Sequence, residues 1–487
     1  MDERDTRKLH FSASVNEQLA DSEAVVELQF GKYDPRSISV RLHLLGSEER
    51  RQQTFRKLDN LGRNHCTLYP APPAKQVVEL LGIAGMQFSG EPLQTITIDC
   101  ASVEVGISNE LVSVAPKYWV TAQIVPSGIL IQPSVLSFHP SGEVKRERGG
   151  DYDIIVAVTR GTVNARAIYE RATGAEFGNA ITKLIQRTIV TGEIAGRADE
   201  SLTQIHEQFR SDLNDVCLVL SLCYRWPVTF YEIEYFDSRY APVDGGYLRR
   251  AVAVPRRAPS SHVGLLHVGD LIDGGLGILS DAFRSAPMRH ELGRAISYLA
   301  HSYAEEGIET AYFTAFSAFE TTVAAAEGSR MYVLKASRWK RLCDRLIAAI
   351  ESFAVDEKIA EAERSDLLEA LGEKLPEVRR VSLRRRVHAL VASLNIDVTD
   401  LWLPEVGFDS GLRRATTSRN DLFHAAKLTD VDTLQGDLVR IRVLTERIIL
   451  RLLNWPDSKI WPRHADTVRW ANRGEHELRT RDTSSSA

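Results

Sequence analysis

After Pro287 the apolar residues of this chain stop alternating and begin to recur every three or four positions. No other feature constrains the fold as strongly. A two-residue repeat suits a half-buried strand, whereas a 3.6-residue repeat suits one face of a helix. The two periods occupy long, separate stretches, so the chain predicts separate structural units rather than one mixed layer. Length agrees: 487 residues exceed the ~250–300 at which single cores stop growing. Division by ~150 gives a prior of about three units.

From about Ala24 to Asn164 the sequence reads as strands. Val25–Phe30, Ser37–Leu45, Thr95–Ile98 and Tyr118–Ile124 alternate and are rich in β-branched residues, with Gly, Pro, Asp and Ser clusters between them. This pattern predicts an antiparallel sandwich or barrel. Ala175–Thr191 and Ser201–Tyr224 then take helical period. In the second, Leu202, Ile205, Phe209, Leu213, Val216 and Leu220 keep three-four spacing behind Ser201 as N-cap, and Trp226-Pro227 ends the run. Val228–Phe236 returns to strand, and Ala241 to about Gly275 reads as a loop-rich bridge. The expectation is a β-rich α+β N-terminal module over 1–285, with its β part about 1–170 and its α+β part about 171–285.

The region 288–457 predicts an all-α bundle. Leu292–Tyr303 and Gly307–Ala326 read as a helix pair broken at Glu306-Gly307, the second with an apolar stripe of Ala311, Phe313, Phe316, Phe319 and Val323. Further helices are expected at Ser337–Phe353, Ile359–Leu371, Leu383–Leu394, Ser410–Lys427 and Val431–Trp455. The last carries Leu434, Leu438, Ile441, Leu444, Ile448 and Leu452 at three-four spacing. The polar, Arg-rich stretch 458–487 predicts a poorly ordered tail.

Composition excludes several classes. Net charge is −5 with a pI near 6.3, unlike a nucleic-acid coat protein, although a local basic cleft stays compatible. Five cysteines without a CxxC pair or zinc spacing give neither a disulfide framework nor a structural metal. Cys217 and Cys223 fall in an apolar run and read as buried small hydrophobes. The charged start MDERDTRKLH lacks a secretory h-region, and no apolar run approaches the ~18–20 residues that span a bilayer. A cytoplasmic location away from membranes is expected.

The segment that bears chemistry is Arg419-Asn420-Asp421-Leu422-Phe423-His424. An arginine separated from a histidine by four to six residues is common: Arg4/His10, Arg36/His43, Arg257/His262, Arg284/His290, Arg294/His301 and Arg469/His476 also qualify. Pro259 and Pro287 interrupt two of these, two lie near the termini, and Arg36/His43 falls in a predicted strand. Arg294/His301 is the rival, since seven residues place both groups on one helix face. Only Arg419/His424 combines a polar residue directly after the arginine with the right helix and domain position.

Together with Ala315-Phe316-Ser317-Ala318-Phe319-Glu320 and the long amphipathic closing helix, this segment resembles the Apea-like HEPN ribonuclease family of bacterial anti-phage proteins. The resemblance covers about 170 C-terminal residues, and the N-terminal part is more loosely similar to the β-rich domain of ApeA-type proteins. It implies a HEPN bundle acting as an endoribonuclease without metal or cofactor. Arg419, Asn420 and His424 would be its catalytic residues and Glu320 a supporting one. It also implies abortive infection on phage attack, a phage-derived activator protein sensed by the N-terminal module, and a dimer through the bundle with two motifs facing one cleft. Products would carry 2′,3′-cyclic phosphate and 5′-hydroxyl ends.

The residue types suit that chemistry. RNA carries its own nucleophile, the 2′-OH. A histidine of ordinary pKa ~6.5 moves protons near neutrality, and arginine offers a planar cationic fork to phosphate oxygens. Asn420 hydrogen-bonds without adding charge. Asn420 and His424 share a helix face, whereas Arg419 lies about 140° of rotation from His424, so its side chain must curl back. Alternatively, the helix begins at Ser418, Asp421 completes a capping box, and the positive helix end faces the phosphate.

A basic segment lies nearby. From Pro376 to Lys427 there are nine Arg or Lys against six Asp or Glu, and Arg384, Arg385, Arg386, Arg413 and Arg414 are candidate RNA contacts. The sequence contains no P-loop, HExxH or GxSxG, and Asp270, Asp273 and Gly274-Gly275 read as a turn. Two other readings compete: a non-catalytic HEPN module that binds RNA or protein and dimerises, and a structural regulator whose β module binds a ligand.

Overall fold

The computed structural model describes residues 6–14, 23–31, 38–60, 65–70, 76–89, 95–107, 117–126, 136–138, 144–146, 154–176, 179–197, 200–250, 252, 264–266, 268–327, 332–379, 381–425, 430–456 and 461–485. For many of these, His424 among them, only the backbone is described. The chain divides into two compact units, Met1–Arg284 and Ser285–Ala487.

The first unit is built on a 12-stranded sheet whose pairings are antiparallel. Six strands close on themselves: β1 (Thr6–Ser14), β2 (Glu23–Gly31), β3 (Ile38–Leu44), β4 (His65–Pro70), β5 (Gln76–Ser89) and β6 (Thr95–Ile107). Around that ring the order is β6-β3-β2-β1-β4-β5, and β5 pairs back onto β6. The expected barrel alternative is therefore the one found for these strands, and closure removes two exposed edges. From β6 the sheet continues through β14 (Pro242–Arg250), β13 (Thr229–Phe236), β7 (Lys117–Val125), β12 (Asn179–Ala195), β11 (Gly161–Glu176) and β10 (Ile154–Val158). A small hairpin joins β8 (Leu136–Phe138) and β9 (Val144–Arg146).

Alternation places the core as the sequence predicts. Ile38, Val40, Leu42 and Leu44 are buried on β3 while Arg41 points to solvent, and β2 buries Ala24, Val26, Leu28 and Phe30. Helix α2 (Leu202–Tyr224) packs on β13 and β10. Ser201 caps it in a reciprocal box with Gln204, as its sequence predicts. The predicted face is the buried one, from Leu202 to Leu220. Asp212 accepts from the Thr159 backbone N–H at 2.9 Å and from its hydroxyl at 2.8 Å, tying α2 to the β10–β11 turn. Cys217 and Cys223 are buried as expected.

Three readings of this unit need correction. Ala175–Thr191 is not helical; it ends β11 and fills most of β12. Ile181, Ile185, Ile189 and their β-branched neighbours happen to share a four-residue spacing, and pairing with β11 and β7 overrides that local signal. The bridge from Ala241 to Gly275 contains β14, a single turn α3 (Val268–Asp270) and a π-type turn at Leu271–Gly275 with Gly274 at φ 90°. That positive φ agrees with the turn reading of Asp273-Gly274. A helix absent from the strand reading, α1 (Glu48–Asn60), follows β3. The unit closes with α4 (Leu276–Ser285).

The second unit is helical. It comprises α5 (Arg289–Ala304), α6 (Ile308–Glu327), α7 (Ala336–Asp356), α8 (Glu361–Arg379), α9 (Leu383–Ser393), α10 (Gly407–Ala425), α11 (Val431–Leu452) and α12 (Trp461–Ser485). Its core gathers Phe316 and Phe319 of α6, Val387 of α9, Leu412 of α10, Ile441 of α11 and Val468 of α12. Of the stripe expected on α6, Phe313 is the exception and stands exposed.

The tail reading also needs correction. Residues 461–485 form α12, and its few buried positions recur at helical spacing: His464, Val468, Ala471 and Glu475. His464 Nε2 donates at 2.8 Å to buried Glu446 of α11, whose other carboxylate oxygen accepts from the Tyr303 hydroxyl at 2.7 Å. Polar anchors of this kind escape a search for apolar periodicity.

Candidate functional site

Helix α10 carries most of the candidate residues. It runs unbroken from Gly407 to Ala425, so Ser418 lies buried in its interior and is not an N-cap. The alternative in which a helix start at Ser418 faces a phosphate is thereby excluded. Gly411 lets α10 approach the indole of Trp402: a Cβ there would meet the ring at 2.4 Å. Tyr312 of α6 donates its hydroxyl to the Ala415 carbonyl at 2.8 Å and holds the two helices together.

Arg419 does curl. One guanidinium N–H donates to Asn420 Oδ1 at 3.0 Å and another to Glu320 Oε2 on α6 at 3.3 Å. The guanidinium carbon lies 4.8 Å from the centroid of the Phe423 ring, a cation–π contact. Phe423 in turn stacks obliquely on Phe313, with centroids 4.3 Å apart. Both rings are exposed. Glu320, Arg419 and Asn420 are therefore brought together at the surface, beside an aromatic pair of which Phe313 was expected in the apolar stripe of α6. His424 occupies the last turn of α10, and its side chain lies outside the described residues.

The basic segment is split by the structure. Arg384 and Arg413 turn to one carboxylate, Asp409, at 3.4 and 3.5 Å, and His388 joins them at 3.0 Å. The hydrogen bond from His388, followed by the charges of Arg384, His388 and Arg413, holds Asp409 below its usual range. Arg385 is exposed and Arg386 half-buried on α9. Arg414 points inward instead. It donates to Asp437 and Glu475, both at 2.7 Å, in a network completed by buried Arg440 and by the Trp402 indole N–H. Burial opposes its charge, but these hydrogen bonds prevail and raise its pKa above the usual arginine value. Its guanidinium ties α10 to α11 and α12.

Helix geometry links the two exterior clusters. At 100° per residue, Asp409, Arg413, Asn420 and the backbone position of His424 fall within an arc of about 60°, along about 22 Å of axis. Arg413 and Asn420 are exposed on that arc. The His388–Asp409 pair was missed as a site feature; the four-residue step from Asp409 to Arg413 was the available signal. The rival pair behaves differently. His301 on α5 hydrogen-bonds the Ser297 carbonyl of its own helix at 2.8 Å.

Fold and site define a two-unit protein, β-rich and then helical, with a polar arginine-bearing stripe on one helix. The chain matches no protein-family model, no curated protein and no solved structure. Among the described residues no helix is long and apolar enough to cross a membrane.

Proposed function

We propose that this protein is a HEPN-type endoribonuclease that cleaves RNA without a metal, as an anti-phage effector in abortive infection. The observation that carries the reading is the Glu320–Arg419–Asn420 contact at the surface end of α10, one helical turn before His424. Arg419 uses two of the five N–H donors a guanidinium possesses in these contacts, and further donors suit phosphate oxygens. Asn420 orients it. His424 moves the proton: the 2′-OH attacks the adjacent phosphorus, the 5′-oxygen leaves, and a 2′,3′-cyclic phosphate and a 5′-hydroxyl result. The exposed Phe313 and Phe423 rings suit base stacking, and the stripe from Arg413 to Asn420 suits a phosphate backbone. The first unit senses a phage-derived activator, and the bundle works as a dimer in the cytoplasm.

The test uses purified protein and total RNA in EDTA, alone and with lysate from phage-infected cells. Cleavage that disappears in His424→Ala is expected. Cleavage abolished by the chelator, or equal in the variant, would remove this mechanism.

One observation favours a second reading. The Arg419–Glu320 ion pair, 27% and 39% exposed, is also what a non-catalytic HEPN module would use to hold α6 to α10 while binding RNA or protein. On that reading Arg419→Ala weakens RNA retention and there is no His424-dependent cleavage to lose.

A further inference from the structure

Helices α7 and α8 form an arm that leaves the bundle and returns to it. At its base the Val333 N–H donates to the Arg379 carbonyl at 2.9 Å, and the Arg379 guanidinium lies 4.1 Å from the Tyr332 ring centroid. Along its length Arg364 faces Glu351 at 3.6 Å. Among the described residues, the core cluster of the second unit includes none from either helix. Among the described side chains of the arm, only Ala354 and Leu375 are buried. Leu342, Leu346, Ile347 and Phe353 of α7 stand 36–54% exposed. Isolated helices of this length are marginal in water, and a contiguous apolar face of this kind marks an interface.

The sequence of α7 says what covers it. Trp339, Leu346 and Phe353 recur every seven residues, with Leu342 between the first two and Ile350 between the last two, which is the spacing of a helix–helix seam. Charge along the same helix is polarised. Residues 336–345 carry Arg338, Lys340, Arg341 and Arg345 against a single Asp344, whereas residues 346–357 carry Glu351, Asp356 and Glu357 and no basic residue. A two-fold axis near Ile347 sets each basic half against the acidic half of another copy and lays the apolar stripes on each other. Self-complementarity of that kind is what an isologous interface requires. A nucleic acid would use only the basic half and leave the apolar stripe wet.

We propose that the α7–α8 arm is a self-association surface on which α7 of a second copy docks antiparallel. The inference rests on the proposed dimer and names the face that forms it, while using none of the α10 residues that carry the nuclease chemistry.

Sedimentation velocity of the full-length protein at micromolar concentration tests it. The wild type sediments as a dimer. Leu346→Asp sediments as a monomer, as does Arg338→Glu/Arg341→Glu/Arg345→Glu, and so does Glu351→Arg/Asp356→Arg/Glu357→Arg. Mixing the last two variants restores a dimer, which misfolded chains would not do. A monomeric wild type overturns the proposal. So does a dimer that all three variants preserve, because the interface then lies elsewhere. Loss of RNA retention by the basic-half variant, with unchanged sedimentation, assigns the face to nucleic acid and equally overturns it.

Discussion

The guanidinium of Arg419 reaches Glu320 Oε2 at 3.3 Å, joining α10 to a helix ninety-nine residues earlier in the chain. The pair is partly exposed, so it contributes little to stability, on the order of 0–1 kcal/mol. Its consequence is positional. Glu320→Gln is expected to leave the urea midpoint nearly unchanged and to lower RNA cleavage by about 10- to 100-fold, the effect of misplacing a reacting group. Arg419→Ala should cost about 10²–10³-fold, as removal of a donor to a developing oxyanion does. Equal, small effects of both variants on cleavage would assign the pair to packing alone.

Gly411→Ala is expected to destabilise the second unit, reversing the usual sign. Alanine is ordinarily better than glycine inside a helix by about 0.5–1 kcal/mol. Here the added methyl would meet the Trp402 ring at 2.4 Å, and the indole is held by its N–H bond to Asp437 Oδ1 at 3.0 Å. Overpacking of this kind costs about 1–3 kcal/mol. Urea denaturation reads it directly; a stabilised variant would show that Trp402 moves freely.

In the first unit, His206 should make stability fall with acid. Burial, reinforced by Arg210, lowers its pKa from 6.5 to about 4. The unfolded chain therefore takes up a proton near pH 6.5 while the folded chain does not. Stability is complete above pH 6.5, declines as pH drops toward 4, and is lower by about 3 kcal/mol below that. His206→Gln removes this component. The difference between the two urea midpoints, followed from pH 7 to 4, isolates it from the carboxylates; a difference independent of pH would contradict the assignment.

The anchoring of α12 predicts the cost of losing it. His464→Ala leaves the Glu446 carboxylate buried without its imidazole partner, and breaking a buried pair costs about 3–5 kcal/mol. Glu446→Gln in the same chain should recover part of that loss. Thermal unfolding of the three proteins measures it, and a null effect in the single variant would mean that α12 contributes nothing to the bundle.

Legibility followed the kind of interaction that fixes each element. Strands β2, β3, β7 and β13 and helices α2, α6, α10 and α11 bury apolar residues at their own period, and the sequence shows them. The hairpin of β11 and β12 is set by pairing with distant strands, so Ile181, Ile185 and Ile189 gave a false helical period. Helix α12 is fixed largely by His464, Asn472 and Glu475, polar side chains whose partners sit on other helices. At the site, the motif on α10 was readable from Arg419 and Asn420. Its partner Glu320 was named only through resemblance. The inward turn of Arg414 depends on Asp437 and Glu475, and no local pattern marks it.

One substitution in the substrate separates cleavage by the RNA's own 2′-hydroxyl from any other route. A defined RNA is prepared with 2′-deoxyribose at the nucleotide whose 3′ phosphate is cleaved, and is given to the activated wild-type protein in EDTA. Cleavage at that position is expected to vanish, while the all-ribose RNA yields 2′,3′-cyclic phosphate ends in a His424-dependent manner. Undiminished cleavage of the deoxy-substituted strand, leaving a plain 3′-hydroxyl or 3′-phosphate, would contradict attack by the 2′-hydroxyl.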